Sequence, residues 1–434
     1  MNRLIQIVVL YVLPIVLVAC QSTPAPAVSS TVSIPTLPAA SPTASIPTLP
    51  DGTIVIRNGT VIDGTGAEPI LNGLVAIKDG EIIAVGAETQ FRIPQGTQVI
   101  DAQGGSILPG FIDAHTHILE NTGTTQAALG RWLQAGVTTV RDLGSRYGKN
   151  TSSLSIAALK QRLITYGNKV PTVVIAGPIM TAPDGYPVPV FGKSMALEVA
   201  NANEARQGAE QLLTNGADEI KIAVESGSPT QPFPKLSLEQ VKAITEIAHQ
   251  KGTRVSAHVM HPQDAQIALD GGVDDLAHMI LFGEMPDALI QQMVNQNIWL
   301  VPTLVVEDNM ASSLGLNDKQ KKQFLEFRLD TFHRYLAAGG RVALGSDFGN
   351  SGIPEGMPLP ELQRMVEFGM TPMQVIVAAT SHAAQVCNLG KRLGTLEMGK
   401  QADIIVVKGN PIEDIQAMKE VIIVIKNGEV VIQP

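Results

Sequence analysis

Cysteine is nearly absent. The 434-residue chain has two, Cys20 and Cys387, too few for a disulfide framework. Cys387 reads as a small buried hydrophobe on a helix. Charge is sparse and not basic. Charged residues make up 16% of the chain and the formal net charge is −9. With no basic cluster, nucleic acid is not expected as a partner. No G-x-G-x-x-G follows a strand-like run, so a doubly wound dinucleotide-binding sheet is the lesser reading. Disorder is excluded too, because 44% of the residues are hydrophobic, enough for a well-filled core. Histidine is scarce, eight in all. Yet two stand one residue apart at the end of an apolar run, "LPGFIDAHTHILE", residues 108–120.

The first twenty residues, "MNRLIQIVVLYVLPIVLVAC", place Arg3 before an apolar stretch. That stretch is short for a membrane span and interrupted by Pro14, and it has the length of a signal-peptide core. Its end, Leu17-Val18-Ala19-Cys20, resembles a bacterial lipobox. That resemblance implies lipidation of Cys20 and export, with the protein held to a membrane surface by a lipid anchor. An ordinary signal peptide or an uncleaved anchor is the alternative. Residues 21–51 are rich in Pro, Ser and Thr, repeat "SIPTLP", and read as a linker.

From residue 52 the pattern becomes structural. Short β-branched runs punctuated by Asn-Gly and Asp-Gly, such as "TIVIRNGTVIDGTG" and "LVAIKDGEIIAVG", are hairpin signals. The C-terminus repeats the style in "QADIIVVKGN" and "EVIIVIKNGEVVIQP". Both ends, 52–105 and 395–434, are therefore expected to build one small β-sandwich domain. Between them, residues 106–394 alternate strand-like and helix-like segments. The strand candidates are "SILPGFIDAHTH", "VTTVRDLG", "VPTVVIAG", "DEIKIAV", "RVSAHVM", "DDLAHM", "IWLVPTL" and "RVALGSDFG". "SLEQVKAITEIAHQKG" has a serine cap, helical apolar spacing and a terminal glycine. Eight such units predict an α/β fold, a (β/α)8 TIM barrel.

Barrel enzymes place their chemistry at the C-terminal ends of the strands. The expected first strand ends in His115 and His117, two residues apart and so facing the same way. The fourth carries Lys221, the fifth ends near His258, the sixth near His278 and the eighth near Asp347. Neutral imidazoles and a carboxylate suit zinc or a similar divalent ion. A desolvated lysine is neutral and nucleophilic. It can take up carbon dioxide and become an anionic carbamate that bridges two metals. Each residue has a plainer role open to it. Lys221 can pair with Glu219 or Glu225, and Asp347 can cap a turn. It is the clustering that favours a metal site. Three further residues are candidate substrate contacts. Tyr186 lies in the long loop "GPIMTAPDGYPVPVFGKS", which is expected to cover the site. Arg141 can meet a substrate carboxylate, with an ion pair to Asp142 or another neighbour as the alternative. His261 stands just past the fifth strand.

In order, "NGTVIDGTG", "ILPGFIDAHTH", "ADEIKI", "SAHV", "LAHM", "GSDFG" and "GTLEMGKQADIIVV" resemble the amidohydrolase superfamily. The likeness is strongest to the branch of imidazolonepropionase-like proteins and metal-dependent Xaa-Pro dipeptidases. It implies that His115, His117 and Asp347 hold a buried metal, that His258 and His278 hold a more exposed one, and that carboxylated Lys221 bridges them. Two divalent ions, zinc by default, are then the cofactors. It further implies hydrolysis of a C–N bond by a metal-bridging hydroxide, with Asp347 carrying the proton to the leaving amine. A dipeptide or N-acyl amino acid is the expected small-molecule substrate. The deaminase branch has a glutamate three residues after the fifth-strand histidine, whereas this chain has His261. A cyclic amidase, a lactonase, a deaminase and a non-catalytic surface-binding lipoprotein stay open as alternatives.

Overall fold

The computed structural model describes residues 46–434, apart from 146–154, 229, 314–316, 351 and 434. Cys20, the signal segment and most of the linker lie outside the described residues. The linker's expected end is folded, however. Pro47 and Leu49 exchange backbone hydrogen bonds of 2.9 Å with Arg92, and Leu49 is buried against Val55, Leu74 and Ala76. An apolar side chain with strand partners thus draws this stretch into the folded body.

The two ends of the chain meet in one sheet. Strands Ile54–Val61, Ile70–Lys78, Glu81–Ala87, Gln98–Asp101 and Ser106–Pro109 join Ile404–Val407, Val421–Lys426 and Glu429–Ile432 in an eight-stranded array. Ile56, Val75, Ile77, Ile82, Ile404, Val406 and Ile425 fill a core of its own. The apolar run "SILPGFIDAHTH" is therefore not one strand. Ser106–Pro109 pairs antiparallel with Ile404–Val407, and the barrel begins at Phe111. The break falls at Gly110, where a Cβ would lie 2.2 Å from Thr138 Oγ1, so only glycine lets the chain pass from one sheet to the next.

Eight of the strands that follow alternate with helices: Phe111–Thr116, Val137–Asp142, Thr172–Ile175, Ile220–Ala223, Val255–His258, Asp275–Ala277, Trp299–Val301 and Arg341–Val342; Ile179–Thr181, between the third and fourth, pairs with Ile220–Ala223. Their pairings are parallel. Asp218 N to Ile175 O, 2.8 Å, links the third strand to the fourth, and Ala114 N to Leu344 O, 2.9 Å, links the first to the eighth. These bonds, just outside the regular strands, bring the three-stranded and seven-stranded sheets into one barrel-like array. Helices alternate with the strands, and their apolar faces pack onto it. Helix Leu238–Gln250 is representative. Ser237 accepts from Gln240 N, the Gln240 side chain returns the bond, and Val241, Ile244 and Ile247 are buried. This is the capping box and apolar stripe that its sequence specifies.

Candidate active site

The C-terminal ends of the barrel strands surround a cavity of about 800 Å³. His115, His117, Lys221, His258, His278 and Asp347 all line it. Only His258 is the last residue of its strand. His117 and His278 stand one residue beyond theirs, and Asp347 follows the eighth by five. Two of these positions take left-handed backbone, His278 at φ 74° and Asp347 at φ 58°. Non-glycine residues adopt that conformation at a cost, and such sites concentrate where function fixes the geometry.

The backbone around the cavity is clamped. Asp113 Oδ2 accepts from Ser346 Oγ at 2.5 Å, and its Oδ1 accepts from Ser346 N at 3.0 Å and His115 N at 3.2 Å. The first strand is thereby tied to the residue before Asp347. Burial pushes the Asp113 carboxyl up to about 6. The second nitrogens of two histidines are also held. His117 Nδ1 lies 2.6 Å from Gly144 O, a carbonyl that can only accept, so Nδ1 carries a proton and Nε2 is turned to Asp347, which outweighs burial and raises this imidazole above its usual value. His278 Nδ1 meets Thr303 Oγ1 at 2.7 Å. Such outer bonds set the orientation of ligand imidazoles.

The donor set fits a divalent ion. His115 Nε2 and His117 Nε2 lie 3.3 and 3.2 Å from the same oxygen, Asp347 Oδ1. Ligands on one ion with bonds of about 2.0–2.2 Å are separated by about 3.0–3.5 Å. Buried His258 Nε2 and Asp347 Oδ1 have no hydrogen-bond partner, which buried polar atoms ordinarily require. Burial above all holds His115, His258 and His278 well below the usual imidazole value, so they are neutral, as metal ligands must be. The His258 and His278 rings are 4.7 Å apart, and those of His115 and His278 4.9 Å. With the His115 and His117 rings 5.6 Å apart, the four imidazoles form one continuous group.

Lys221 sits among them, 1% exposed. Its Nζ makes a long 3.4 Å hydrogen bond to Ser256 Oγ. Among the described residues it has no ion pair with Glu219, Glu225 or any other carboxylate. Burial lowers its ammonium to about 7, which leaves much of it as free amine near neutral pH.

The candidate substrate contacts separate. Tyr186 lines the cavity, and its ring stacks on His258 at 4.3 Å and 16°. Arg141 does not reach the cavity. It is fully buried inside the barrel, bonded to Asp275 at 3.0 and 3.1 Å, and donates to Ala114 O. A guanidinium held this way cannot meet a substrate, and its partner is Asp275 rather than Asp142. His261 stands behind the cavity wall, with Nε2 2.7 Å from Gly227 O and its ring stacked on Phe282. Thr303 and Asp113 have no role in the sequence reading, and Glu225 enters it only as a possible partner of Lys221. Asp113 stands two residues before His115 and Glu225 four after Lys221, spacings that offer a signal, whereas Thr303 reaches the site by tertiary approach.

Comparison with known proteins agrees with this geometry. A family model described as "Amidohydrolase family" matches residues 106–431. The chain belongs to the amidohydrolase family. Ochratoxinase from Aspergillus niger is 29% identical over 419 residues, covering 84% of this chain and 83% of that protein. Imidazolonepropionase from Haloarcula marismortui is 26% identical over 405 residues, covering 80% and 86%. A crystal structure of a Xaa-Pro dipeptidase with methionine bound in its active site superposes with a TM-score of 0.75. It is 25% identical and covers 87% of this chain and 99% of its own. As an amidohydrolase the chain is a hydrolase of carbon–nitrogen bonds in small molecules, and His115, His117 and Asp347 form a group that can hold a divalent metal ion.

Proposed function

We propose that this amidohydrolase cleaves the amide bond of a dipeptide or an N-acyl amino acid, using two divalent ions, zinc by default, bridged by a carboxylated Lys221. The observation that carries the reading is the buried, unpaired Lys221 facing the same cavity as four histidines and Asp347. A buried ammonium without a counter-ion is costly. The neutral amine instead adds to carbon dioxide. The nitrogen lone pair forms the N–C bond, one C–O π pair becomes a carboxylate oxygen, and the nitrogen gives up a proton to solvent. The product is an anionic oxygen donor in the place of a cation.

When bound, the ions supply an acidified water and a polarised substrate carbonyl. His115, His117 and Asp347 would hold the inner ion, His258 and His278 the outer one. Asp347 also stands where a proton can be carried from the attacking water to the leaving nitrogen. Its Oδ2 reaches within 4.0 Å of His278 Nδ1 while Oδ1 faces His115 and His117, so its carboxylate spans both halves of the site. Ile179, Tyr186, Phe191, Phe233, Met260 and Phe282 supply an apolar wall that receives an apolar substrate group. Replacing Lys221→Ala or Asp347→Asn abolishes hydrolysis across a panel of dipeptides and N-acyl amino acids, with the circular dichroism spectrum unchanged. Full turnover in either variant would contradict the reading.

We also read Cys20 as a lipidation site that holds the exported enzyme to a membrane surface. Its support is the sequence Leu17-Val18-Ala19-Cys20 after an apolar core. Mass spectrometry of the mature N-terminus in a bacterial host tests it: a diacylglyceryl cysteine supports the anchor, an unmodified chain opposes it.

A further inference from the structure

One carboxylate on the cavity wall stands outside the His115–His117–Asp347 group, with ligand atoms of His261 and Asp264 within 4.8 Å of its own. Glu225 follows the fourth strand, lines the cavity and is 3% exposed. Its Oε1 is fixed, accepting from Gly227 N at 2.8 Å and facing His261 Nε2 at 3.6 Å. His261 in turn bonds Gly227 O, so the glycine is pinned from both sides. Gly227 is at φ 72°, and a Cβ there would lie 2.3 Å from Gln231 O. This rigid turn aims Oε2, which is buried without a hydrogen-bond partner. It lies 3.8 Å from His258 Nε2, too far for a hydrogen bond. Tyr186, whose ring stacks on His258, and Phe233, 6.4 Å from that ring, line the same cavity. A fixed carboxylate oxygen in a cavity with aromatic walls is a receptor for an organic ammonium.

The charge balance of the cavity agrees. Among the described residues, Lys221 is the one lysine or arginine on its wall, and its amine is engaged by the bridge in the reading above. The nearby acid Glu307 is occupied by Arg328 and by Met279 N. Glu225 is therefore the carboxylate left to meet a ligand. Its position also says where the cation belongs. An α-amino nitrogen lies about 2.5 Å from its own carbonyl carbon, from the bond lengths N–Cα and Cα–C and their angle. An α-ammonium bound at Oε2 brings that carbonyl beside His258.

We propose that Glu225 makes this enzyme selective for substrates with a free α-ammonium next to the scissile carbonyl, that is, for unblocked dipeptides over N-acyl amino acids of the same shape. The proposal rests on the amide-hydrolase reading and chooses between its two substrate classes.

The test uses matched pairs that differ only in the ammonium, such as leucyl-phenylalanine and 4-methylpentanoyl-phenylalanine, on the metal-loaded enzyme. The wild type favours the amino member in kcat/KM by about ten- to a hundredfold, the range for a charged hydrogen bond in a buried site. Glu225→Gln brings the ratio near one and Glu225→Asp retains part of it, with metal content unchanged. A ratio near one in the wild type overturns the proposal. So does an equal loss on both members, which would put Glu225 in the common machinery, or a lost metal equivalent, which would make it a ligand. Binding of the acid products, leucine against 4-methylpentanoate, is measured by calorimetry in parallel. If no pair is hydrolysed, the amide-hydrolase reading fails. Tighter binding of leucine, abolished in Glu225→Gln, still supports the ammonium site, and equal binding overturns it.

Discussion

Replacing Arg141 by alanine separates two roles for a buried cation. Arg141 has no exposed surface and makes two charged hydrogen bonds to Asp275, a 3.5 Å contact to Glu219 and a bond to Ala114 O. Asp275 is equally buried. Burial alone would raise its carboxyl, but Arg141 outweighs that and holds it below the usual value, so it is ionised. Arg141→Ala leaves that charge unpaired in the barrel interior, a change that costs about 3–5 kcal/mol. The folded unit Ile46–Pro434 has an unfolding entropy of about 0.8 kcal/mol per kelvin at about 2.1 cal/mol/K per residue. The expected fall in Tm is therefore about 4–6 °C by calorimetry. Because Arg141 also holds the carbonyl before His115, kcat should fall with KM little changed. An unchanged Tm with KM raised tenfold would refute this and return Arg141 to substrate binding.

Other perturbations follow from single contacts. A Cβ at Gly345 would lie 2.3 Å from Val301 Cγ1 and 2.7 Å from His115 Cβ, so Gly345→Ala should displace His115 and weaken metal retention on dialysis, at a cost of about 1–3 kcal/mol in stability; retained metal and an unshifted Tm would oppose it. Tyr186 acts through its ring, so Tyr186→Ala should raise KM about tenfold, within the range for a lost aromatic contact and its buried area, and Tyr186→Phe should leave KM near wild type. Equal damage from both substitutions would implicate the hydroxyl. Burial raises Glu361, which accepts from Leu304 N and Val305 N, to about 8. A carboxyl raised in the folded state favours folding while protonated, so its contribution is full below pH 4.5 and declines as pH rises towards 8. Denaturant titrations of metal-free protein should therefore show wild type losing stability relative to Glu361→Gln between pH 5 and 8, and a pH-independent gap would refute this.

The parts of the fold visible in sequence are those whose signals are local. Strand-end histidines two residues apart, the capping box at Ser237 and the Asn-Gly and Asp-Gly turns need few neighbours to be understood. The eight strand candidates share this property, though the eighth has only Arg341–Val342 as regular strand. What stayed hidden depends on distant approach. The break at Gly110 is set by Thr138 on the next strand. Asp275 is 134 residues from Arg141, and no spacing rule selects it over the adjacent Asp142. Leu49 is buried only because Val55, Leu74 and Ala76 meet it, so its place in a Pro-rich stretch made it read as linker. Glu225 gains its meaning from Gly227 pinning one oxygen and leaving the other without a partner. A sequence shows the carboxylate but not its missing partner.

Metal content tests the account most directly. Purified protein, expressed with added zinc and bicarbonate, is analysed by elemental mass spectrometry beside its Lys221→Ala variant. The account predicts about two equivalents per chain in the wild type, as for a binuclear site, and a clear loss in the variant. One equivalent indifferent to Lys221, or no retained metal, would contradict it.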